Sequence, residues 1–229
     1  MHPIICSIGP FTVYSYGLML ALAFLIASYL TGRQAEKENI GREIIFNALF
    51  LAFICGIAGA RLLYAAQNFN LYRDSPLEII MLQHGGLSWL GGLISGSLCA
   101  VVYLKRKKIP VYKALDLAAP FAALGQAIGR IGCFLNGCCY GKDDIPVQLY
   151  SAVVLIFIFI ILRIFQDRPH KEGEVFFNYL LLYSLKRFFI EFLRGDNQVI
   201  FSGLSLFQIT SLGLFVFAFI KLKFLKAQK

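Results

Sequence analysis

The sequence is poor in charged residues, and this scarcity limits the classes of protein to which it can belong. Asp, Glu, Lys and Arg make up 15% of its 229 residues, whereas a soluble domain carries roughly 25%. Hydrophobic residues make up 58% and lie in long blocks separated by short polar stretches. This composition argues against a soluble domain and indicates a single transmembrane domain over residues 1–229.

Several motifs of soluble enzymes are also absent. The sequence contains no Walker-type phosphate loop, no GxSxG motif and no HExxH motif. It has a single Trp, so an interfacial aromatic belt must come mainly from its 22 Phe and 11 Tyr residues. The first apolar block lacks a basic n-region and is too long for the apolar part of a signal peptide. We therefore expect that block to be the first transmembrane helix.

Seven apolar windows are each long enough to cross about 30 Å of hydrocarbon with about 20 residues. They predict an all-α, polytopic integral membrane protein with about seven transmembrane helices. The sixth window is the weakest because it contains Lys186, Arg187 and Glu191, and a six-helix count is the alternative. The windows are 11–32, 44–66, 85–104, 114–135, 147–165, 175–193 and 204–222.

Basic residues between the windows alternate from one connection to the next. The 33–43, 105–113 and 166–174 loops and the C-terminal tail hold 14 of the 22 Lys and Arg residues, and the other connections hold 3. Cytoplasmic loops of membrane proteins are enriched in Lys and Arg. The asymmetry predicts an N-terminus outside and a C-terminus in the cytoplasm. It also accounts for the net charge of +9, so we expect no nucleic-acid partner.

Three arginines lie inside predicted spans that run outward, which places Arg61, Arg130 and Arg187 in the outer half of the membrane. An intramembrane arginine costs about 2.5–3.5 kcal/mol on translocon scales and therefore needs a reason. Arg194 follows at the outer end, and Glu191 is the one acid inside the outer half of a predicted span. The excess of guanidinium groups suggests a pocket for an anion, and their planar shape suits phosphate. The alternative is that they cap helix ends or contact lipid headgroups without specificity.

Two further groups of residues share this predicted depth. Tyr14 and Tyr16 open the first window, and a Gly-rich run from His84 to Gly92 opens the third. Such glycines either let helices approach closely or mark a broken segment that lines a cavity. Lys186 is ambiguous, since it could face the lipid headgroups instead of the pocket.

Three of the six cysteines cluster in the segment Cys133-Phe-Leu-Asn136-Gly-Cys138-Cys139. The segment lacks the paired CxxC spacing of a zinc site, and we predict no metal and no other cofactor. A disulfide from Cys133 to Cys138 or Cys139 is one alternative for thiols on the outer side. A nucleophilic thiol is another, because the nearby Arg130 would favour the thiolate.

Short motifs follow one another along almost the whole chain. They are Gly9-Pro10 with Tyr16-Gly17-Leu18-Met19, Gly59-Ala60-Arg61-Leu62, Gly85-Gly86-Leu87-Ser88 with Gly91-Gly92-Leu93, Gly129-Arg130-Ile131-Gly132-Cys133-Phe134-Leu135-Asn136-Gly137 with Gly141, Gln148-Leu149-Tyr150, Arg187-Phe188-Phe189-Ile190-Glu191-Phe192 with Arg194 and Asp196, and Leu204-Ser205 with Gln208. In this order and spacing, the sequence resembles the prolipoprotein diacylglyceryl transferase family.

The resemblance implies an activity, a location and a set of site residues. That family transfers the diacylglyceryl group of phosphatidylglycerol to the lipobox cysteine of a prolipoprotein and releases glycerol 1-phosphate. The implied location is the bacterial cytoplasmic (inner) membrane, and the implied partners are phosphatidylglycerol, other membrane lipids and the signal-peptide cysteine. Arg130 and Arg187 would bind the phosphate and stabilise its charge as it leaves. The other implied substrate-binding residues are Tyr16, Arg61, Gly85, Gly86, Ser88, Asn136, Glu191 and Arg194.

The sequence departs from the family pattern at three positions. Leu90 stands where the family usually has His, Cys133 where it has Asn, and Cys138 where it has Glu. The outer loop after Asn136 is also shorter than usual, so we expect a divergent, minimal member. The substrate thiol then needs another base, and His84 is our candidate because an unperturbed imidazole has a pKa near 6.5.

Other readings of the base and of the function stay open. Glu191 and Tyr14 are weaker candidates for the base, and the field of the arginines alone could favour a thiolate. A non-acylating paralogue would bind anionic phospholipid and act as a thiol-dependent membrane partner or scaffold. A transporter would suit broken helices and intramembrane charge, but it would more often show pseudo-symmetric halves.

Overall fold

A computed structural model describes residues 4–8, 11–73, 76–81, 85–142, 145–195, 199–201 and 203–227. Within these residues the regular structure is helical apart from two short hairpins. In chain order, the elements are β1 (Ile4–Ile8), β2 (Phe11–Tyr14), α1 (Ser15–Lys37), α2 (Arg42–Gln67), α3 (Phe69–Tyr72), a 3-10 turn (Pro76–Ile79), α4 (Trp89–Arg106), α5 (Val111–Asn136), α6 (Val147–Gln166), α7 (Glu174–Leu193), β3 (Val199–Phe201), β4 (Leu204–Ser205) and α8 (Leu206–Ala227).

Five helices, α1, α2, α5, α6 and α8, are long and apolar enough to cross a membrane. Each of the seven predicted windows overlaps one long helix, and the two remaining windows correspond to α4 and α7. Helix α4 has 18 residues and ends on Lys105 and Arg106, whereas α7 carries Lys186, Arg187 and Glu191 within its length. The prediction of a multi-pass helical membrane protein is confirmed. The count of seven spans and the orientation of the termini stay predictions.

Two antiparallel hairpins, β1 with β2 and β3 with β4, precede α1 and α8, and the sequence reasoning did not predict them. Strands β1 and β2 are rich in β-branched and aromatic residues, which suit extended backbone. Helix α1 therefore begins at Ser15 instead of at residue 11. Gly85 and Gly86 have φ values of 74° and 77°, which do not continue a right-handed helix. For that reason α4 begins at Trp89 instead of at residue 85.

The helices pack as two compact units, one formed by Met1–Thr31 with Tyr112–Lys229 and the other by Gly32–Val111. In the first unit, α5, α6 and α7 share a core, and α8 packs on α7. Small alanines on α5 let the larger side chains of α6 and α7 approach closely. The buried residues of this core are Ala119, Ala123, Ala127, Leu155, Ile158, Leu162, Val175 and Tyr179. The single domain expected over 1–229 stays a prediction.

In the second unit, α2 packs against α4 along a seam of glycines. A Cβ atom added to Gly96 would lie 2.7 Å from the carbonyl oxygen of Ala52, and one added to Gly59 would lie 2.9 Å from that of Gly91. Ser95 crosses the seam and donates a hydrogen bond of 2.8 Å to a main-chain carbonyl of α2. Glycine is thus required where the two backbones touch, because any side chain would separate the helices.

Candidate functional site

The last turns of α7 carry an arginine that is bound to a buried carboxylate. Arg187 Nη2 lies 3.1 Å from Glu191 Oε2, one helical turn away. Ser205 in β4 donates a hydrogen bond of 3.2 Å to the other carboxylate oxygen. The Arg187 guanidinium also lies 4.6 Å from the centre of the Phe207 ring. These contacts hold Arg187 in one orientation and engage both oxygens of Glu191.

Lys186 adjoins this ion pair and is buried, with 5% of its surface exposed. Its ammonium group lies 5.0 Å from the centre of the Tyr183 ring and within electrostatic range of Arg130, Arg187 and Arg194. The sequence did not decide whether Lys186 faces the predicted pocket or the lipid headgroups, and the structure places its ammonium group beside the three arginines. Its spacing of three residues from Tyr183, which puts both on one helix face, is the signal that could have found it.

Helix α5 carries the second part of the site near its C-terminal end. Arg130 lies less than two turns before Asn136, the last helical residue, and within electrostatic range of Arg187. The chain then turns through Gly137, with a φ of 76°, and Cys139, with a φ of 64°. This left-handed conformation is ordinary for glycine but uncommon for cysteine. Strain of this kind at a non-glycine residue occurs preferentially at functional sites.

The turn brings three thiols together. The sulfur atoms of Cys133, Cys138 and Cys139 all lie within 4.8 Å of one another, and all three cysteines are free. Hydrogen bonds from Cys133 and Cys138, together with the charges of Arg194 and Arg130, lower the pKa of the Cys139 thiol to about 5. Burial raises the pKa of Cys138. At neutral pH Cys139 is therefore a thiolate and Cys138 a thiol.

Main-chain contacts connect the cysteine turn to α6 and α7. Gly141 forms an antiparallel β-bridge with Arg194, and a Cβ on Gly141 would lie 2.7 Å from the carbonyl oxygen of Leu193. The buried side chain of Gln148 in α6 donates a hydrogen bond of 2.6 Å to the carbonyl of Cys138. The ends of α5 and α7, and with them their cationic side chains, are thus held in one arrangement.

Tyr16 lies in the first turn of α1, beside α5. A Cβ on Gly132 would lie 3.6 Å from the Tyr16 ring, and the Tyr16 hydroxyl is within electrostatic range of Arg130 and the three cysteines. The first unit therefore contains six of the predicted site residues near one another, and their roles in binding and catalysis stay predictions. These are Tyr16, Arg130, Asn136, Arg187, Glu191 and Arg194.

Arg61 belongs to the second unit and is almost entirely buried, with 4% of its surface exposed. Its guanidinium group donates five hydrogen bonds to main-chain carbonyls, which is as many as it has N–H groups. The ring of Tyr72 covers it at 5.3 Å. The accepting carbonyls belong to Glu78, Ile79, Met81, Gly85 and Gly86. These bonds give Arg61 a structural role in joining α2 to the turn before α4, and the direct substrate contact that the sequence suggested stays a prediction.

Gly85, Gly86 and Ser88 precede α4 in this second unit. The two glycines supply the positive φ values of the turn, and the amide of Ser88 donates a hydrogen bond of 3.0 Å to a main-chain carbonyl of α2. Leu90, which replaces the family's usual His, is half exposed in the first turn of α4. His84 lies outside the described residues, and its role as a base stays a prediction, as do substrate contacts by Gly85, Gly86 and Ser88.

Among the residues of the first unit that the structure describes, cations outnumber acids at this place. The described residues give Arg130, Lys186 and Arg187 one carboxylate partner, Glu191. A cluster of guanidinium and ammonium groups with so little compensation favours an anion, and arginine forks match the oxygens of a phosphate group. Fold and site together define a multi-pass helical membrane protein in which cationic side chains meet near the C-terminal ends of α5 and α7.

Comparison of the sequence with known proteins identifies the family. A model of the family described as prolipoprotein diacylglyceryl transferase matches residues 3–223, so the chain belongs to that family. Three relatives carry the name phosphatidylglycerol–prolipoprotein diacylglyceryl transferase, and each is 34% identical to this chain. The alignment covers 95% of this chain and 97% of the protein from Clostridium tetani, 91% and 84% for Enterococcus faecalis, and 94% and 92% for Streptococcus mutans. The resemblance seen in the motifs is confirmed.

Proposed function

We propose that this chain transfers the diacylglyceryl group of phosphatidylglycerol to the cysteine thiol of a prolipoprotein, in the bacterial cytoplasmic membrane. The names of its relatives give phosphatidylglycerol, a prolipoprotein and the transfer of a diacylglyceryl group. Arg130, Lys186 and Arg187 lie near one another towards the ends of α5 and α7. This observation links the proposed reaction to particular residues.

The reaction is a displacement at the glycerol carbon that bears the phosphodiester. The thiolate sulfur attacks this carbon, the bond from the carbon to the phosphate oxygen breaks, and glycerol 1-phosphate leaves with the electron pair. A phosphodiester with one negative charge thereby becomes a phosphomonoester with up to two. Cations that contact the phosphate oxygens bind this developing charge more tightly than they bind the substrate. In our proposal Arg130 and Arg187 make these contacts, and Lys186 adds its positive charge.

The other predicted residues serve this displacement in different ways. Glu191 orients Arg187 through their ion pair of 3.1 Å, and Ser205 binds its other carboxylate oxygen. The proton of the acceptor thiol would go to His84. Tyr16, Asn136 and Arg194 would surround the headgroup of the phospholipid.

The proposal includes seven transmembrane spans with the N-terminus outside and the C-terminus in the cytoplasm. The β-bridge between Gly141 and Arg194 supports this topology, because it joins the C-terminal ends of α5 and α7. Two helices whose C-terminal ends meet run in the same direction. The charge asymmetry of the loops puts these ends on the outer side of the membrane.

A second candidate is a paralogue that binds phosphatidylglycerol without acylating a lipoprotein. Cys133 and Cys138, which stand in place of the family's usual Asn and Glu, favour this candidate, since they change the groups beside the phosphate site. It would use the same arginines for the lipid and would lack the transfer step.

Complementation distinguishes the two candidates. The wild-type chain is expressed in a bacterial strain depleted of its own diacylglyceryl transferase, and maturation is scored by lipoprotein mobility. We expect the wild type to restore maturation, and Arg130→Ala, Arg187→Ala and Arg130→Lys to fail. Arg163→Ala is the matched control, because Arg163 lies in α6 of the same unit and pairs with Asp167 at 3.2 Å.

Separate outcomes decide between the candidates. Specific binding of phosphatidylglycerol without restored maturation would select the paralogue. Full activity of Arg130→Ala or Arg187→Ala would refute the phosphate site. If the wild type neither restores maturation nor binds the lipid, both candidates are wrong.

A further inference from the structure

We propose that Cys133, Cys138 and Cys139 form a binding site for a thiophilic d10 cation such as Zn²⁺, Cd²⁺ or Cu⁺. Among the described residues, these side chains are the one group of three or more His, Cys, Asp and Glu residues whose donor atoms are close enough to share a metal ion. The site does not depend on the transferase reaction. It differs from the sequence-based expectation because the left-handed turn at Gly137 and Cys139 replaces the missing CxxC spacing.

The sulfur positions already approach those of a metal site. Zinc–thiolate bonds of about 2.3 Å put the sulfurs of a tetrahedral site roughly 3.8 Å apart. Here the sulfurs of Cys138 and Cys139 are 3.7 Å apart, and no pair in the cluster exceeds 4.8 Å. Small rotations of the side chains are therefore enough to bring all three thiolates onto one ion.

The backbone that carries the three thiols is held in place before any ion binds. The amide of Cys138 donates a hydrogen bond of 3.1 Å to the carbonyl of Cys133, which closes the turn after α5. Gln148 binds the carbonyl of Cys138 at 2.6 Å from α6. A ligand set that is fixed in advance loses little conformational entropy on binding. Cys139 keeps its strained φ of 64° as part of the same turn.

The chemistry of the three donors selects the kind of ion. Thiolates prefer soft cations to Mg²⁺ or Ca²⁺, and three protein ligands leave a fourth position open to an external ligand. Each cysteine that is still protonated releases its proton to solvent when it coordinates, and no electron is transferred. Three thiolates around a divalent cation carry a net charge of −1. Arg130 and Arg194 are within electrostatic range of Cys139 and would stabilise this anionic complex.

The experiment uses the full chain, purified in detergent under a non-thiol reductant, with Cys6→Ser, Cys55→Ser and Cys99→Ser introduced. The three clustered cysteines are then the only thiols. Cd²⁺ is titrated in, and the thiolate-to-metal charge-transfer absorption is followed, with the metal content measured after gel filtration. We expect one Cd²⁺ per chain and displacement by Zn²⁺. Cys133→Ser, Cys138→Ser and Cys139→Ser should each weaken binding by roughly 100-fold or more, since even outer-shell changes cost about 10–100-fold.

The matched control keeps Cys55 and Cys99, which interact with each other across the α2–α4 seam, and replaces the three clustered cysteines with serine. It should bind Cd²⁺ much more weakly, because only two thiols are close together. Cadmium NMR of the chain with the three native cysteines counts the sulfur ligands and needs no substitution within the cluster.

Three results would overturn the proposal. They are the absence of a charge-transfer band, equal affinity in the control, and a disulfide within the cluster that persists under reductant and blocks Cd²⁺.

Discussion

Arg187 and Glu191 form an ion pair of 3.1 Å across one turn of α7, and Ser205 from the following hairpin binds the same carboxylate. Loss of one partner of a buried pair costs about 3–5 kcal/mol, because the other charge stays buried without compensation. We expect Glu191→Gln to lower the midpoint of thermal unfolding in detergent. Arg187→Met combined with Glu191→Gln should lower it less than Glu191→Gln alone. A double variant that loses the sum of the two single losses would show that the residues are not coupled.

Lys186 should have opposite effects on stability and on lipid binding. A buried ammonium group without a carboxylate partner among the described residues destabilises the empty protein, and an anion would compensate it. We expect Lys186→Met to raise the midpoint of thermal unfolding without lipid and to weaken binding of phosphatidylglycerol vesicles about tenfold, or about 1.4 kcal/mol. Lys186→Arg should keep the affinity for the lipid. A lower midpoint together with unchanged affinity would mean that Lys186 has only a structural role.

Arg61→Lys should destabilise the protein even though it keeps the charge. A lysine ammonium donates at most three hydrogen bonds, so at least two of the five carbonyls now bound by Arg61 lose their partner. Each buried polar group left unpaired costs about 1–3 kcal/mol. Thermal unfolding measures the loss, and Arg73→Lys, at an exposed arginine after α3, is the control. Equal midpoints for the two variants would contradict the structural role of Arg61.

Cys139 and Cys138 should respond differently to pH. Because the pKa of Cys139 is lowered to about 5, its thiolate persists at neutral pH and is lost as the pH falls through 5. Burial raises the pKa of Cys138, so that thiol ionises only at alkaline pH. We expect iodoacetamide to modify Cys139 in metal-free protein at pH 6 while it spares Cys138, as measured by tandem mass spectrometry. Parallel pH profiles for the two residues would disprove this difference.

The proposed topology places Lys107 in the cytoplasm and Lys142 outside. In a cysteine-free background, Lys142→Cys should react with a membrane-impermeant thiol reagent in intact cells, and Lys107→Cys should react only after permeabilisation. The expectation follows from the enrichment of Lys and Arg in cytoplasmic loops. Labelling of Lys107→Cys but not of Lys142→Cys in intact cells would show that the orientation is opposite to the proposed one.

The helical windows could be predicted because a membrane span needs about 20 apolar residues, and such runs stand out in a sequence. The residues at which the helices begin were harder to predict. The start of α4 depends on the positive φ values of Gly85 and Gly86, and the start of α1 depends on strand pairing between β1 and β2. Neither feature follows from hydropathy.

The site was predictable only in part. Arg130 and Arg187 could be found because charged residues inside an apolar run are rare and usually functional. The same reasoning placed Arg61 with them, and that call stays a prediction. Its hydrogen bonds to carbonyls up to 25 residues away could not be predicted, because no local pattern indicates such contacts. The close approach of the three sulfur atoms could not be predicted for a similar reason, because a rule based on residue spacing does not include a cysteine with left-handed backbone.

The five hydrogen bonds of Arg61 also have a kinetic consequence. One side chain joins α2 to main chain on both sides of residues 82–84, at 78–81 and at 85–86. Nη1 binds the stretch 85–86, whereas Nε and Nη2 bind the stretch 78–81. Because these nitrogens belong to one rigid guanidinium group, a movement that releases one stretch from α2 also disturbs the bonds to the other. The two stretches should therefore form one cooperative opening unit, whose opening rate is set by the movement of a single side chain.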